Sequence, residues 1–377
     1  FIALVFIAPL LADFALMFGY FEYCAVAIFS LSLVASLVEG SLWKGLASAV
    51  IGFTLTMVGT APIDGYPRFT FGIAALGAGF DILPALIGFF AVTEIFEAAS
   101  SAAHPEVKGK IVDFKIKGLG FTGAEFKSQI PNMIRSTLIG IGIGILPGIG
   151  GGTSYLLAYA TAKNQSKYPE KFGTGCLEGI AAPETGNNAA TGGSMVPLLS
   201  LGIPGGNAAA IMMSALVLKG VTMGPLLLVN QPEYLSATFA SMFASNIIMV
   251  FAAMLFAKIF VQVLKIPYSI LGPTIIMMAT IGAYATKNAA VDVILMAISG
   301  LAGFLFVRCK FNASAMILGL VLGTICESNL RRAYTIAQGD TLLAATLDIV
   351  SRPVTGIVLL ICLAVLITPV IKPLFQK

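Results

Sequence analysis

Residues 140–225 read GIGIGILPGIGGGTSYLLAYATAKNQSKYPEKFGTGCLEGIAAPETGNNAATGGSMVPLLSLGIPGGNAAAIMMSALVLKGVTMGP. The stretch is apolar enough for a bilayer, yet it keeps interrupting its own helices. The interruptions are Pro147-Gly148, the run Gly150 to Gly152, the pair Asn187-Asn188, and Pro204-Gly205-Gly206. Unpaired backbone N–H and C=O groups are costly in hydrocarbon, so irregular backbone survives at membrane depth only where it is buried in protein or lines a watery cavity. These breaks are therefore expected to line a site.

Outside that core the chain has the same character. Of its 377 residues 58% are hydrophobic and 11% charged, with a mean hydropathy of +0.94. Soluble domains carry about 25% charged residues, so the composition indicates an all-α polytopic membrane protein. The apolar runs are continuous, without the alternation of a β-barrel. Candidate spans lie at 2–18, 22–38, 45–60, 82–99, 136–162 (broken), 195–218 (broken), 235–264, 268–286, 290–307, 311–326 and 354–371. That amounts to about ten transmembrane spans, two of them broken.

The net charge of +4 comes from 22 Lys and Arg scattered at span ends, which speaks to orientation rather than to nucleic acid. Lys108, Lys110, Lys115, Lys117, Lys127 and Arg135 form the densest cluster, with Glu106, Asp113 and Glu125 among them, and place that connection in the cytoplasm. The five cysteines lie apart with no C-x-x-C, so neither a disulfide framework nor a metal site follows. The single histidine, His104, falls in the connection. No nucleophile with a paired base and no P-loop is present, so the chain reads as neither an enzyme nor an ATP-driven pump, and no cofactor is expected.

A loose duplication organises the chain. Residues 20–100 end in Leu86-Ile87-Gly88 followed by Glu94 and Glu97, and residues 267–335 end in Ile317-Leu318-Gly319 followed by Glu327. Secondary transporters are often built from inverted repeats. On that reading 1–100 is the end of a first repeat and 101–135 the cytoplasmic connection. Residues 136–230 are then the Gly-rich broken-helix core of the second repeat, and 231–377 its remaining spans. The chain opens at Phe1 inside an apolar run, without Met or a basic flank, and so reads as a piece whose N-terminal part, with the first core, is absent.

Basic residues flank both arms of the first break: Arg135 on one side, Lys163, Lys167 and Lys171 on the other. This predicts a re-entrant hairpin with its tip at Pro147 to Gly152, against the alternative of one continuous helix kinked at glycine. Gly140, Gly142 and Gly144 are read as small-residue packing positions. Between Gly173 and Asn207 lie Glu178, Glu184, Thr185, Asn187, Asn188, Thr191, Ser194, Ser200 and Asn207, a polar density that calls for a purpose in a membrane core. The Asn187 and Asn188 carboxamides offer acceptors for Na⁺ and donors for a carboxylate. Half-helix N-termini after Pro147-Gly148 and Pro204-Gly205 would aim backbone N–H groups at an anion. Pro147, Gly148, Gly150, Gly151, Asn187, Asn188, Gly202, Pro204 and Gly205 are thus the candidate substrate and ion site, with Glu178 and Glu184 as candidate proton carriers or helix caps. Glu327 to Arg332 reads as a solvated, charge-paired helix end, and Gly65-Tyr66-Pro67-Arg68 as a turn before an interfacial segment.

Together these residues resemble a known family. Gly144-x-x-Pro147-Gly148-x-Gly150, Phe172-Gly173-x-Gly175-x-x-Glu178-Gly179, Glu184-x-x-Asn187-Asn188-Ala189 and Leu201-Gly202-Ile203-Pro204-Gly205 are similar to the large membrane subunit, the TctA family, of the tripartite tricarboxylate transporters. Arg68-Phe69-Thr70-Phe71-Gly72-Ile73 and Leu322-Gly323-x-x-x-Glu327-Ser328-Asn329 resemble it too. Gly186 departs from the family pattern, which usually has a residue such as Ala there. The resemblance implies a secondary transporter of the bacterial cytoplasmic membrane, working with a small membrane subunit and a periplasmic solute-binding protein. The latter would deliver a carboxylate such as citrate, with symport driven by a Na⁺ or H⁺ gradient. It also implies two inverted halves sharing one site. The competing classes are an ion channel and a membrane scaffold that moves nothing.

Overall fold

The computed structural model describes residues 1–37, 42–102, 121–147, 150–263, 266–337 and 341–375. It is 81% helical. Three helices open the chain, α1 (Ile2–Ala15), α2 (Tyr20–Leu37) and α3 (Leu42–Leu55). A short antiparallel ribbon follows, pairing Gly59 with Arg68 and Thr60 with Pro67. Next come α4 (Ile82–Ile87), a π-helical turn at Gly88–Val92 and α5 (Thr93–Ala102), continuous with one another. The Gly-rich core forms α6 (Gly123–Ile145), α7 (Gly150–Gln165), α8 (Leu177–Leu201) and α9 (Asn207–Leu218). After the short α10 (Leu226–Asn230) stand α11 (Pro232–Val263), α12 (Tyr268–Lys287), α13 (Ala290–Arg308) and α14 (Ala313–Ile336), and the chain closes with α15 (Leu342–Ser351) and α16 (Pro353–Phe375).

Among the described residues five helices are long and apolar enough to cross a membrane: Ile82–Ser100, Pro232–Ala257, Tyr268–Lys287, Ala290–Arg308 and Ala313–Ile336. A sixth span results if Leu343–Ser351 and Pro353–Thr368, bent by 95°, count as one. The chain is therefore a multi-pass helical membrane protein. The other expected spans fall on the shorter apolar helices α1, α2, α3 and α9 and on the α6 to α8 core. Exposed Phe243, Ile248, Phe251 and Leu255 on α11 suit a lipid-facing surface, because burial inside the protein is not what holds such a helix in a bilayer.

Two helix pairs are built alike. A Cβ on Gly88, in the π-turn, would run into Met296 O and Gly300 N of α13; a Cβ on Gly319, in α14, would run into Ala49 O and Phe53 N of α3. Each glycine thus seats on a carbonyl and on the amide four residues further along its partner. Both pairs run parallel: Ser48 Oγ reaches Asn312 N at one end of α3 and α14, while Thr56 abuts Gly323 further along. In the other pair Val92 meets Gly300, Thr93 meets Gly303 and Ser100 bonds Arg308. Asp81 caps α4 and Asn312 caps α14 through side-chain acceptors. Gly88 and Gly319 are the glycines at which the two copies of the loose duplication align.

The ribbon is fastened to α14 by charge. Arg68 donates from Nη1 and Nη2 to Glu327 Oε1 and Oε2 at 2.5 and 3.1 Å, and Arg331 Nε lies 2.9 Å from Glu327 Oε1. Glu327, expected on a solvated helix end, is instead buried, with 7% of its side chain exposed against 13% for Arg68. Sequence spacing gives Glu327 its i+4 partner Arg331 but is blind to Arg68, 259 residues away. Arg68→Met leaves Glu327 only its Arg331 partner and is expected to cost about 1.5–3 kcal/mol in detergent-solubilised unfolding, whereas Glu327→Met strands the buried Arg68 and is expected to cost about 3–5 kcal/mol.

At the ribbon tip the backbone N–H of Tyr66 and the Arg331 guanidinium hold the Asp64 carboxyl below the usual aspartate range. A carboxyl depressed on folding contributes above its unfolded pKa, about 4, and loses that contribution as pH falls through the folded value. Hydrogen-exchange protection over residues 59–68, taken relative to the intrinsic rate at each pH, is expected to fall in that acid window, and Asp64→Asn to abolish the step.

Candidate substrate site

The hairpin forms because its first arm starts with a strong signal and both arms end in helix breakers. Thr122 and Glu125 make a reciprocal capping box, Thr122 Oγ1 accepting from Glu125 N at 3.2 Å and Glu125 Oε2 from Thr122 N at 2.7 Å. Helix α6 therefore begins thirteen residues before the expected span start at 136, at Gly123. It ends at Ile145, two residues before a buried Pro147, and α7 starts at Gly150, with Gly151 next in its first turn. Gly148 lies outside the described residues. The arms fold back on each other, because Arg135 Nη1 donates to Gln165 Oε1 at 2.7 Å across 30 residues.

Helix α8 packs into this hairpin and touches both arms. A Cβ on Gly140 would collide with Gly186 O, and one on Gly144 with Ala190 O. A Cβ on Gly193 would lie 2.8 Å from Ile141 O, and one on Gly186 2.8 Å from Ala158 Cβ of α7. Ser154 Oγ adds a hydrogen bond to Gly186 O at 3.2 Å. Small residues let helix backbones approach closely, where dispersion and short hydrogen bonds replace the missing hydrophobic drive of lipid. Gly140 and Gly144 are thus packing positions, as read from sequence, whereas Gly142 faces open space.

That packing corrects two expectations. Asn187 and Asn188 do not mark a break: they lie inside α8, which runs unbroken from Leu177, not from 195, through Pro183 and Pro197. Weak helix formers are tolerated there because close tertiary contact on the Gly face outweighs propensity. The opposite face carries exposed Glu184, Asn187, Asn188 and Thr191, spaced to form one stripe at helical periodicity. Asn188 Nδ2 donates to Glu184 O at 3.0 Å. Glu178 is about 14 Å along the axis from Asn187, at 1.5 Å per residue. There its carboxylate accepts from Ser166 Oγ and its carbonyl from Asn132 Nδ2, which ties the hairpin mouth together. The two candidate proton carriers are therefore separated, and only Glu184 belongs to the stripe.

The second break is a reversal rather than an interruption between two half-helices in line. Gly202 closes α8 at φ +73°, a left-handed conformation that costs other residues about 1–2 kcal/mol. Ile203 to Gly206 then double back: Gly205 N donates to Ser194 O at 3.2 Å, and a Cβ on Gly205 would collide with Gly144 O. The second break is thus packed against Gly144, three residues before the first break at Pro147 and about 60 residues away in sequence. Helix α9 sets out from that point, where Asn207 Nδ2 donates to Ser314 Oγ at 3.0 Å and Asn207 Oδ1 is buried with no bonded partner.

At the far end of α8 opens a cavity of about 820 Å³, lined among others by Tyr20, Tyr23, Gly202, Thr222, Asn329 and Arg332. Among the described residues Arg332 is the only charged one lining it, with its guanidinium 5.2 Å from the centre of the Tyr20 ring. In sequence Arg332 belongs to the charge-paired helix end Glu327 to Arg332. The signal that could have singled it out is spacing: only Arg331 stands at i+4 from Glu327, and Arg332 points about 100° further round the helix. Among the described residues no three His, Cys, Asp or Glu side chains gather as a metal site would require.

The sequence of residues 1–318 matches the profile of the tripartite tricarboxylate transporter TctA family. The chain belongs to that family. Its family is a transporter component rather than an enzyme family, and the large subunit of a tripartite system implies partner subunits. Two relatives from Agrobacterium vitis are similar to this TctA-family chain. One is an uncharacterized 52.8 kDa protein in the TAR-I ttuC′ 3′ region, 35% identical over 98% of this chain and 72% of its own length. The other is an uncharacterized protein in the TAR-II ttuC′ 3′ region, 36% identical over 61% of this chain and 94% of its own. No solved structure matches.

Backbone contact where the second break packs on Gly144 sets a sharp contrast among glycines. Gly205→Val and Gly144→Val are expected to abolish folding or transport, whereas Gly142→Ala, with nothing within 4 Å of its Cβ position, should leave both unchanged. Yield of monodisperse protein and substrate uptake check this.

Proposed function

We propose that this chain is the permease subunit of a secondary active transporter that imports a citrate-like tricarboxylate or related carboxylate across the bacterial cytoplasmic membrane. Its substrate would be delivered by a periplasmic solute-binding protein, a small membrane subunit would complete the complex, and a Na⁺ or H⁺ gradient would drive the symport. The observation that carries this reading is the packing of the second Pro-Gly break on Gly144, just before the first, in a TctA-family chain whose α8 carries the Glu184 to Thr191 stripe on its other face. Helix starts and doubled-back backbone at one place supply N–H donors for carboxylates, and the carboxamides of Asn187 and Asn188 supply acceptors for Na⁺.

On this reading Pro147, Gly148, Gly150, Gly151, Asn187, Asn188, Gly202, Pro204 and Gly205 frame the site, and the α6–α7 hairpin is re-entrant from the cytoplasmic side. Arg332 gives the cavity beyond Gly202 a cation that attracts carboxylates toward it. The matched seating of Gly88 on α13 and Gly319 on α3 supports an inverted repeat, with alternating access as motion of one repeat against the other.

Uptake of labelled citrate and other di- and tricarboxylates by the full protein with its partner subunits tests the proposal. Asn187→Ala with Asn188→Ala is expected to lower transport efficiency by about 10–100-fold, the loss of one or two charge-assisted hydrogen bonds. Arg332→Gln should raise the half-saturating concentration by about tenfold. Undiminished uptake by the double Asn variant would reject the site, and current without coupled uptake would indicate a channel.

A further inference from the structure

One buried acid takes no part in the site described above. Asp292, in the first turn of α13, is only 6% exposed, and its Oδ2 is buried with no hydrogen-bond partner. A carboxylate so placed is expensive as an anion unless a cation or a donor reaches it. Two charged groups come near it: Asp81, which caps α4, and Lys287, in the last turn of α12. Asn288, left-handed at φ 54°, makes the tight turn that holds Lys287 and Asp292 on adjoining helix ends. In this structure Lys287 Nζ lies 2.9 Å from Asp81 Oδ2, a charge contact without hydrogen-bond geometry. Two carboxylates thus compete for one ammonium group, and the buried one is left without it.

An acid at a helix N-terminus also gains from the helix dipole, which by itself would need no ligand. That account leaves the orphaned Oδ2 unexplained, since exposed acids collect the same benefit without burial. The position along α13 adds direction. Its other end, Arg308, bonds Ser100 next to the basic connection, which puts Asp292 roughly 24 Å away at 1.5 Å per residue, toward the outward face if that connection is cytoplasmic.

We infer that Asp292 is the proton-carrying group of this transporter and that Lys287 exchanges between Asp81 and Asp292 as the proton comes and goes. This rests on the uptake reading above and deepens it by naming the coupling ion and its site. With the proton on Asp292 Oδ2 the carboxyl is neutral, and Lys287 pairs with Asp81. When Asp292 releases the proton to water, Lys287 moves to neutralise the new carboxylate. One proton is taken up and one released, and no other group changes its bonds.

The test uses the full protein with its membrane partner in proteoliposomes, a lumenal pH dye and a panel of labelled di- and tricarboxylates that includes citrate. Wild type is expected to exchange internal for external label, to accumulate label on an inward proton gradient, and to acidify the lumen as it does so. Asp292→Asn should keep exchange but lose both accumulation and acidification, and Asp292→Glu should restore them. Acidification by Asp292→Asn at the wild-type level would overturn the inference, as would wild-type accumulation on Na⁺ alone with no acidification. If Asp292→Asn fails to fold, Lys287→Met decides: without its counter-charge Asp292 should hold the proton more tightly, shifting the pH profile of accumulation upward by about one unit or more. An unmoved profile would overturn the inference. Wild-type exchange without acidification removes only the proton site, whereas absence of exchange for every carboxylate removes the uptake reading itself.

Discussion

Where α8 crosses α6, the space a methyl group would need at Gly140, Gly144 or Gly205 is already filled by carbonyl oxygens of the neighbouring backbone. Lipid offers helices no hydrophobic reward for associating, so contact at this range, with its dispersion and its short hydrogen bonds, is what fixes the core. The rest of the structure depends on that constraint. Close seating of α8 in the hairpin keeps the helix unbroken through Pro183 and Pro197, presents Glu184, Asn187, Asn188 and Thr191 on the opposite face, and pins the doubled-back segment 203–206 against Gly144.

The same device recurs away from the core. Gly88 and Gly319 hold α13 and α3 in like fashion, so the scaffold around the site is assembled from two parallel helix pairs of one design. Charge plays a different part, fastening elements that sequence keeps far apart. The Arg68–Glu327 pair ties the ribbon to α14, and the Lys287–Asp81 contact bridges α12 to the α4 cap. The first is buried within α14, while Lys287 of the second sits half exposed at the end of α12.

Much of the architecture was legible in the residues. Continuous apolar runs gave helices, and basic flanks at Arg135 and Lys163 gave the hairpin, which the Arg135–Gln165 bond closes. Gly140 and Gly144 were readable as packing positions because small residues at four-residue spacing form one helix face. Other features were not legible. A Gly-, Asn- and Thr-rich stretch looks irregular by propensity, so the unbroken course of α8 through Asn187 and Asn188 was invisible until its packing partner was in place. Pro204-Gly205 signals a break but not its direction, and the reversal depends on Gly205 finding Ser194 and Gly144.

By itself, then, the sequence determined the membrane class, the existence and rough position of the breaks, and membership in a transporter family, because composition, helix breakers and motif spacing are local properties of the chain. Only the tertiary structure decided that the second break packs on Gly144, that the Asn pair stands on an exposed polar face, that Glu327 is buried, that Arg332 enters a cavity and that Asp292 lies buried with an orphaned oxygen. Each of these depends on groups tens to hundreds of residues apart, and no periodicity or propensity carries information over that separation.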